Sequence, residues 1–297
     1  MHFAPIVLFV YKRFTSTKLT VESLRKNSEA VNSDLIIFSD GAKSEKDINL
    51  VDDVRKYINS ITGFKTVTVF KNEKNLGLAN SIINGVTRVV NQYGKIIVLE
   101  DDMIISPYFL KYMNEALTLY ENEDKVVSVH GYIYPVNEKL PETFFLRGAD
   151  CWGWATWKRG WDIFEPDSEK LLQEIHNRKL EYEFDLNGTF NNVRMLKNQI
   201  EGRVDSWAIR WHASAFIKNK YTLYPGSPLV KNIGMDEQAT HTKKMNVYDV
   251  VIKDTPITVI KIPVEENVQA RKIVEKFFFR ANPNFISRLV KLFKYKF

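Results

Sequence analysis

The feature that most constrains this chain is the alternation of its first hundred residues. Short apolar runs at 6–10, 35–38, 66–70 and 96–99 are separated by stretches with helical spacing at 17–27, 47–61 and 78–93. That order predicts an α/β fold with a mainly parallel central sheet flanked by helices. The last run, Ile96-Ile97-Val98-Leu99, ends in Glu100-Asp101-Asp102. In an open α/β sheet the ligand crevice lies outside the carboxyl ends of the strands. Three adjacent acids there repel one another, and a divalent cation resolves the repulsion. Taken alone, the triplet reads better as an acidic turn that helps the next helix start, and its surroundings shift the balance toward a metal–nucleotide site.

After Ser106-Pro107, a helix N-terminus signal, the stripe Phe109, Tyr112, Met113, Ala116, Leu117 and Tyr120 reads as core. From about Val126 the character changes. Short strand-like pieces at 126–129 and 143–146 mix with loops, helical stretches come at 171–180 and 207–218, and two short strands around Pro256 are expected within 250–262. The expected organisation is a nucleotide-binding half at 1–105, an acceptor half at 106–275 of the same domain that forms a smaller mixed acceptor-side subdomain, and a tail at 276–297. In the tail, Phe285, Ile286, Leu289, Val290 and Phe293 share one helical face while Arg288, Lys291, Lys294 and Lys296 lie elsewhere. Such a basic amphipathic helix lies on an anionic membrane or docks on the body of the protein. Phe277-Phe278-Phe279 adds apolar surface and tilts the expectation toward the membrane.

At 297 residues with 44% hydrophobic content, the chain can bury a full core. A net charge of +6 suits an acidic partner without choosing one. Cys151 is the single cysteine, so no internal disulfide forms. No signal peptide or membrane-spanning run is apparent, which leads to a cytoplasmic expectation, peripheral on the inner face of the cell membrane if the tail binds lipid. The chain has no G-x-G-x-x-G, phosphate loop, G-x-S-x-G elbow or H-E-x-x-H helix. Basic residues are dispersed outside the tail, so no nucleic-acid partner is expected.

The remaining motifs share one place. Strand ends carry Tyr11-Lys12-Arg13, Ser39-Asp40-Gly41 and the acidic triplet, and Asn75-Leu76-Gly77 precedes a helix. A parallel sheet gathers these ends on one edge, where an arginine binds phosphate, a carboxylate accepts a base N–H, and a glycine turn admits a ligand to the backbone. Trp152, Trp154, Trp157 and Trp161 are dense. Most are expected in the core, with Trp152 and Trp154 the candidates for stacking on an acceptor sugar.

On these residues the chain resembles GT-A-fold glycosyltransferases, namely N-acetylglucosaminyltransferase I and bacterial family 2-like sugar transferases. The similarity runs through Val98-Leu99-Glu100-Asp101-Asp102, 148–154, Asp205-Ser206-Trp207 and 232–241, roughly residues 4–245. It implies a metal-dependent, inverting transfer from a nucleotide-diphosphate sugar, a UDP-sugar, to a hydroxyl of a glycan or lipid-linked glycan in surface polysaccharide synthesis. By that resemblance Asp102 holds Mn2+ or Mg2+ with His241 near it, while Asp101, Glu100, Asp40, Arg13, Asn75 and Gly77 lie along the donor. Asp205 matches the general base, and Ser206 stands where the animal enzyme has a second acid. Two rival expectations are a sugar nucleotidyltransferase and a silent glycan- or membrane-binding subunit. The first needs a glycine-rich loop after strand one, and Tyr11-Lys12-Arg13-Phe14 has no glycine.

Overall fold

The computed structural model describes residues 3–234 and 247–281. Ten strands occur among them: β1 (Ile6–Val10), β2 (Asp34–Ser39), β3 (Thr66–Lys71), β4 (Lys95–Glu100), β5 (Met103–Ile105), β6 (Val126–His130), β7 (Thr143–Arg147), β8 (Trp154–Trp157), β9 (Tyr221–Pro225) and β10 (Val230–Asn232). The helices are α1 (Phe14–Arg25), α2 (Ile48–Asn59), α3 (Leu78–Tyr93), α4 (Phe109–Leu119), α5 (Lys158–Trp161), α6 (Ser168–Asn177), α7 (Glu181–Phe184), α8 (Asn192–Ile200), α9 (Trp207–Ile217) and α10 (Val268–Ala281).

Eight strands form one sheet in the order β3-β2-β1-β4-β8-β6-β9-β7. β1 through β4 are mutually parallel, and β6 and β9 share their direction; β8 and β7 run against it. This is the expected α/β architecture. Every residue of β1 is buried, because helices cover both faces and a continuous apolar run is then stable. α1, α2 and α4 supply one face with Val21, Leu24, Val54, Ile58, Leu110 and Met113. α3 and α9 supply the other with Ile82, Val86, Trp207 and Trp211.

The chain leaves β1 toward β2 and β3, then returns to place β4 on the other side of β1. That is a topological switch point, where an open sheet forms its ligand crevice. α1 fixes the segment after β4. Its buried hydroxyls accept the Met103 N–H (Thr20 Oγ, 3.1 Å) and the Ile105 N–H (Ser23 Oγ, 3.2 Å), and Asn27 accepts the Leu110 N–H at 2.9 Å. β5 then pairs antiparallel with β10, Met103 facing Asn232. This ribbon brings residues 230–234 back onto the acidic triplet.

Three expectations need correction. No strand forms at 250–262. The backbone there bonds to side chains and loops instead, Thr258 N–H to Glu142 and Ile262 N–H to the Tyr120 hydroxyl, and Pro256 and Pro263 bring no N–H to a ladder. Residues 276–281 are the end of α10 rather than the start of a tail. Phe278 is buried and Phe277 stacks on Tyr134 at 5.3 Å, so both are spent in packing and give no apolar face to a membrane. The basic amphipathic segment beyond them lies outside the described residues.

Candidate active site

Arg13, just past β1, and the triplet ending β4 meet at the switch point. One guanidinium nitrogen, Nη2, lies 2.5 Å from Asp101 Oδ1 and 3.0 Å from Asp102 Oδ2. The Tyr11 N–H also reaches Asp101 Oδ2, at 3.3 Å. Asp101 and Asp102 are both buried. Burial pushes Asp101 up to about 6, with Arg13 opposing and Asp102 adding to the rise. Burial, then the charges of Asp102 and Asp101, pushes Glu100 up to about 8. The site therefore holds more negative charge than one arginine balances.

Gly234 closes over this cluster. The Ile233 N–H bonds to the Asp102 carbonyl at 2.8 Å. A Cβ at Gly234 would lie 2.0 Å from Asp102 Oδ2 and 2.8 Å from Arg13 Nη1. Only a residue without a side chain lets the backbone approach so closely.

The donor set is all oxygen, which suits a hard divalent cation. Among the described residues no three His, Cys, Asp or Glu side chains converge into a metal cage. This fits an ion held by one or two carboxylates whose shell is completed by phosphate oxygens and water. Arg13 Nη2 lies against both candidate ligands, Asp101 Oδ1 and Asp102 Oδ2. His241 lies outside the described residues.

A second cluster forms at the end of β2. Asp40 accepts N–H groups from Leu76 (2.9 and 3.1 Å), Gly77 (3.0 Å) and Gly41 (3.0 Å), and the Asn72 amide at 3.3 Å. Asn75 donates to the Gly41 carbonyl at 2.8 Å. In this structure Asp40 thus fastens the 75–77 turn, and a nucleobase would compete with those donors. Gly77, at φ +78°, leads into α3.

Asp205 stands apart from both clusters. It is exposed and bonds to Arg210 Nη2 at 3.1 Å, while Ser206 caps α9 through the Ile209 N–H. Trp207 stacks on Trp154 at 5.4 Å, and Trp154 is the register partner of Val98. This chain of contacts seats the start of α9 beside β4, two residues before Glu100.

Trp154 corrects an expectation. It is 1% exposed, inside a stack with Trp161, Trp207 and Trp211, so it is core and cannot face an acceptor. Trp152 keeps partial exposure, packed edge-on against Tyr132 and Tyr248. The structure also draws attention to Asp150, which sequence reasoning passed over. Its carboxylate accepts the Tyr134 hydroxyl at 3.0 Å and the Cys151 N–H at 2.8 Å. The available signal was one acid inside an otherwise glycine- and aromatic-rich run, 148–154.

The glycosyl transferase family 2 profile matches residues 6–179, more than half of the chain and all of the switch point. The chain belongs to glycosyl transferase family 2. No curated protein matches it. Among solved structures it is similar to the mannosyltransferase PcManGT from Pyrobaculum calidifontis in complex with GDP-Man and Mn2+, at 9% identity over 43% of this chain and 35% of that one, TM-score 0.32. It is similar to S. aureus TarS at 16% identity over 49% of this chain and 24% of that one, TM-score 0.32. A UDP-glucose pyrophosphorylase complexed with UDP-glucose shares 12% identity over 75% of this chain and 90% of that one, TM-score 0.37. The match spans about a third of the mannosyltransferase and a quarter of TarS. Among the described residues no helix is long and apolar enough to cross a membrane.

Proposed function

We propose that this family 2 member is a metal-dependent inverting glycosyltransferase that moves a sugar from a UDP-sugar to a hydroxyl of a glycan or lipid-linked glycan. The observation that carries this reading is the shared grip of Arg13 on Asp101 and Asp102 at the switch point, under the Gly234 backbone. Arg13 holds the two carboxylates adjacent, and its guanidinium presents further donors to a diphosphate. Asp102 holds a divalent ion, Mn2+ or Mg2+, which when bound neutralises the departing diphosphate.

Inversion needs one base to take the acceptor proton and no protein nucleophile. Asp205 is assigned that role. It lies 3.1 Å from Arg210 Nη2, is reachable from solvent, and is held at the start of a helix anchored to β4 through Trp154. Glu100 borders the transferred sugar. Asp40, Asn75 and Gly77 shape the wall on which the nucleoside lies, with Asp40 acting through the turn it holds. Kinship with N-acetylglucosaminyltransferase I, a nucleotide half ending near 105 and membrane attachment through the basic tail belong to the same proposal. Liposome sedimentation of the full chain tests the last of these.

The decisive experiment is thermal stability against UDP, GDP and CMP with and without Mn2+. A ligand that binds the native state raises the melting temperature by mass action. A metal-dependent rise with UDP is expected, lost in Asp102→Ala and kept in Asp205→Asn, while Asp205→Asn loses transfer. The absence of any nucleotide response would overturn the reading in favour of a silent binding subunit. Release of pyrophosphate rather than UDP from a donor would favour a nucleotidyltransferase.

A further inference from the structure

A cavity of about 300 Å³ is lined by residues on both sides of Cys151 in the chain. Ligand pockets span about 300–1,000 Å³, so this one has room for a single small ring rather than a lipid chain. Its lining begins at Tyr132 and runs to Phe278, so no residue of the first 131 contributes to it. Arg13, Asp40 and Glu100 to Asp102 all precede that point. The cavity therefore belongs to the second half of the chain, apart from the nucleotide-side cluster. The cavity is tied to the end of β4, because Cys151 lines it and Trp154, three residues on, is the register partner of Val98.

Asp150 lines the cavity together with Asn192, His212, Arg147, which pairs with Glu183, and the Glu266–Arg271 ion pair. Asp150 Oδ2 accepts the hydroxyls of Tyr134 (3.0 Å) and Tyr224 (3.5 Å), and its Oδ1 accepts the Cys151 N–H. His130 Nε2 is 3.9 Å from Oδ1 but accepts the Trp152 N–H at 3.0 Å, so that nitrogen carries no proton for Asp150. A carboxylate has about four acceptor positions, which leaves one on Oδ1. The neighbouring Cys151 thiol is a weak donor that a hydroxyl displaces. The Asp150 side chain is 23% exposed and lines the cavity, so a ligand reaches it. Trp152 and Tyr248 stand edge to face at 5.9 Å on the rim. Leu186, Phe190 and Phe278 add apolar lining, Phe278 packing on Tyr134 at 4.7 Å.

A carboxylate, an aromatic corner and an apolar flank around one ring-sized space match a sugar with an apolar substituent. Hydroxyls bond to the acid, C–H faces lie on the rings, and a methyl enters the apolar end. We propose that this cavity holds the terminal sugar of the acceptor, with Asp150 accepting one of its hydroxyls and the methyl of an acetamido or 6-deoxy group lying against Phe190 and Phe278. The proposal rests on the glycosyltransferase reading and adds to it the acceptor class.

The test is saturation-transfer difference NMR on the full chain with Mg2+ and UDP, using methyl N-acetylglucosaminide, methyl fucoside and methyl glucoside as probes. The methyl groups of the first two should receive the strongest transfer, and methyl glucoside should bind several-fold more weakly. Losing one hydrogen bond to a charged group costs about tenfold in affinity, the loss expected for Asp150→Asn. Ala208→Phe, which fills the cavity from α9, should abolish transfer at an unchanged melting temperature. Three results would overturn the proposal: transfer unchanged in both variants, equal transfer from all three probes, or no transfer from any probe in protein that still responds to UDP. Displacement of the probes by UDP-sugar but not by UDP would make the cavity the donor's sugar subsite and overturn the acceptor assignment. Probe binding that depends on Asp150 in protein with no nucleotide response would instead sink the glycosyltransferase reading and leave the sugar site standing.

Discussion

Four donor groups from Gly41, Asn72, Leu76 and Gly77 converge on the Asp40 carboxylate. A hydrogen bond to an ionised group contributes about 1.5–3 kcal/mol, and donors left buried without it cost more. Asp40→Asn keeps one accepting oxygen and should lower stability by about 1–3 kcal/mol in urea denaturation, with nucleotide affinity falling only as the 75–77 turn loosens. If Asp40 instead reads the base, the variant would lose its UDP response at unchanged stability. Gly234 makes a sharper case. Gly234→Ala places a carbon against Asp102 Oδ2, far inside contact distance, so either the ribbon or the carboxylate must shift. The variant should fold, because β10 still pairs with β5, yet lose the metal-dependent rise in melting temperature with UDP. A full response in Gly234→Ala would show that the close approach is incidental.

α10 packs through Ala270, Ile273, Val274 and Phe278, and one buried cation ties it down. Arg271 is buried, bonds to both Glu266 oxygens at 3.0 and 3.1 Å, reaches Glu275 at 2.8 Å and donates to the Glu183 carbonyl at 2.9 Å. Breaking a buried charge pair by removing one partner costs about 3–5 kcal/mol, and lysine cannot reproduce the fork. Arg271→Ala should release α10, expose Phe278 and bring early proteolytic cleavage after α7; cleavage at the wild-type rate would refute this docking role. That helix was hard to foresee. Its buried positions Ala270, Ile273, Val274 and Phe278 are interleaved with Lys272, Glu275, Lys276 and Arg280, so no continuous apolar run marks it. The first hundred residues were legible because each strand ends in polar punctuation, and α3 runs between Gly77 and Gly94 as its spacing implies. The segment 250–262 misled through β-branched composition, which favours strands only where a partner strand is present. The tryptophans misled for a local reason. Trp152 and Trp154 are two apart and would share a face of a strand, but Gly153 at φ +64° turns the chain between them. Trp154 enters one core and Trp152 packs against the other. Asp150 was invisible because Tyr134 and Tyr224, which hold it, lie 16 and 74 residues away.

At the scale of the whole molecule, two sets of buried groups pull stability in opposite directions with pH. His130 and His212 are held below their usual value by burial. In the folded state they resist a proton the unfolded chain accepts, so stability falls as pH drops below about 6.5. Glu100, raised to about 8, and Asp101, raised to about 6, have the reverse sign. Their protonated forms favour the fold at low pH, and that contribution is lost as pH rises from about 4 through those values. Glu100→Gln mimics the protonated acid. It should match wild type near pH 5 and exceed it near pH 8, by on the order of 1–2 kcal/mol once partial exposure of the site is allowed for. Melting curves across that range check the sign; a gap that widens toward acid would refute it. A cation and a diphosphate that relieve the same repulsion must displace the protons those acids carry. The rise in melting temperature with UDP and metal should therefore grow from pH 6 to pH 8 in wild type and flatten in Glu100→Gln. A pH-independent rise in wild type would mean that donor and metal bind without engaging the carboxylates at the switch point.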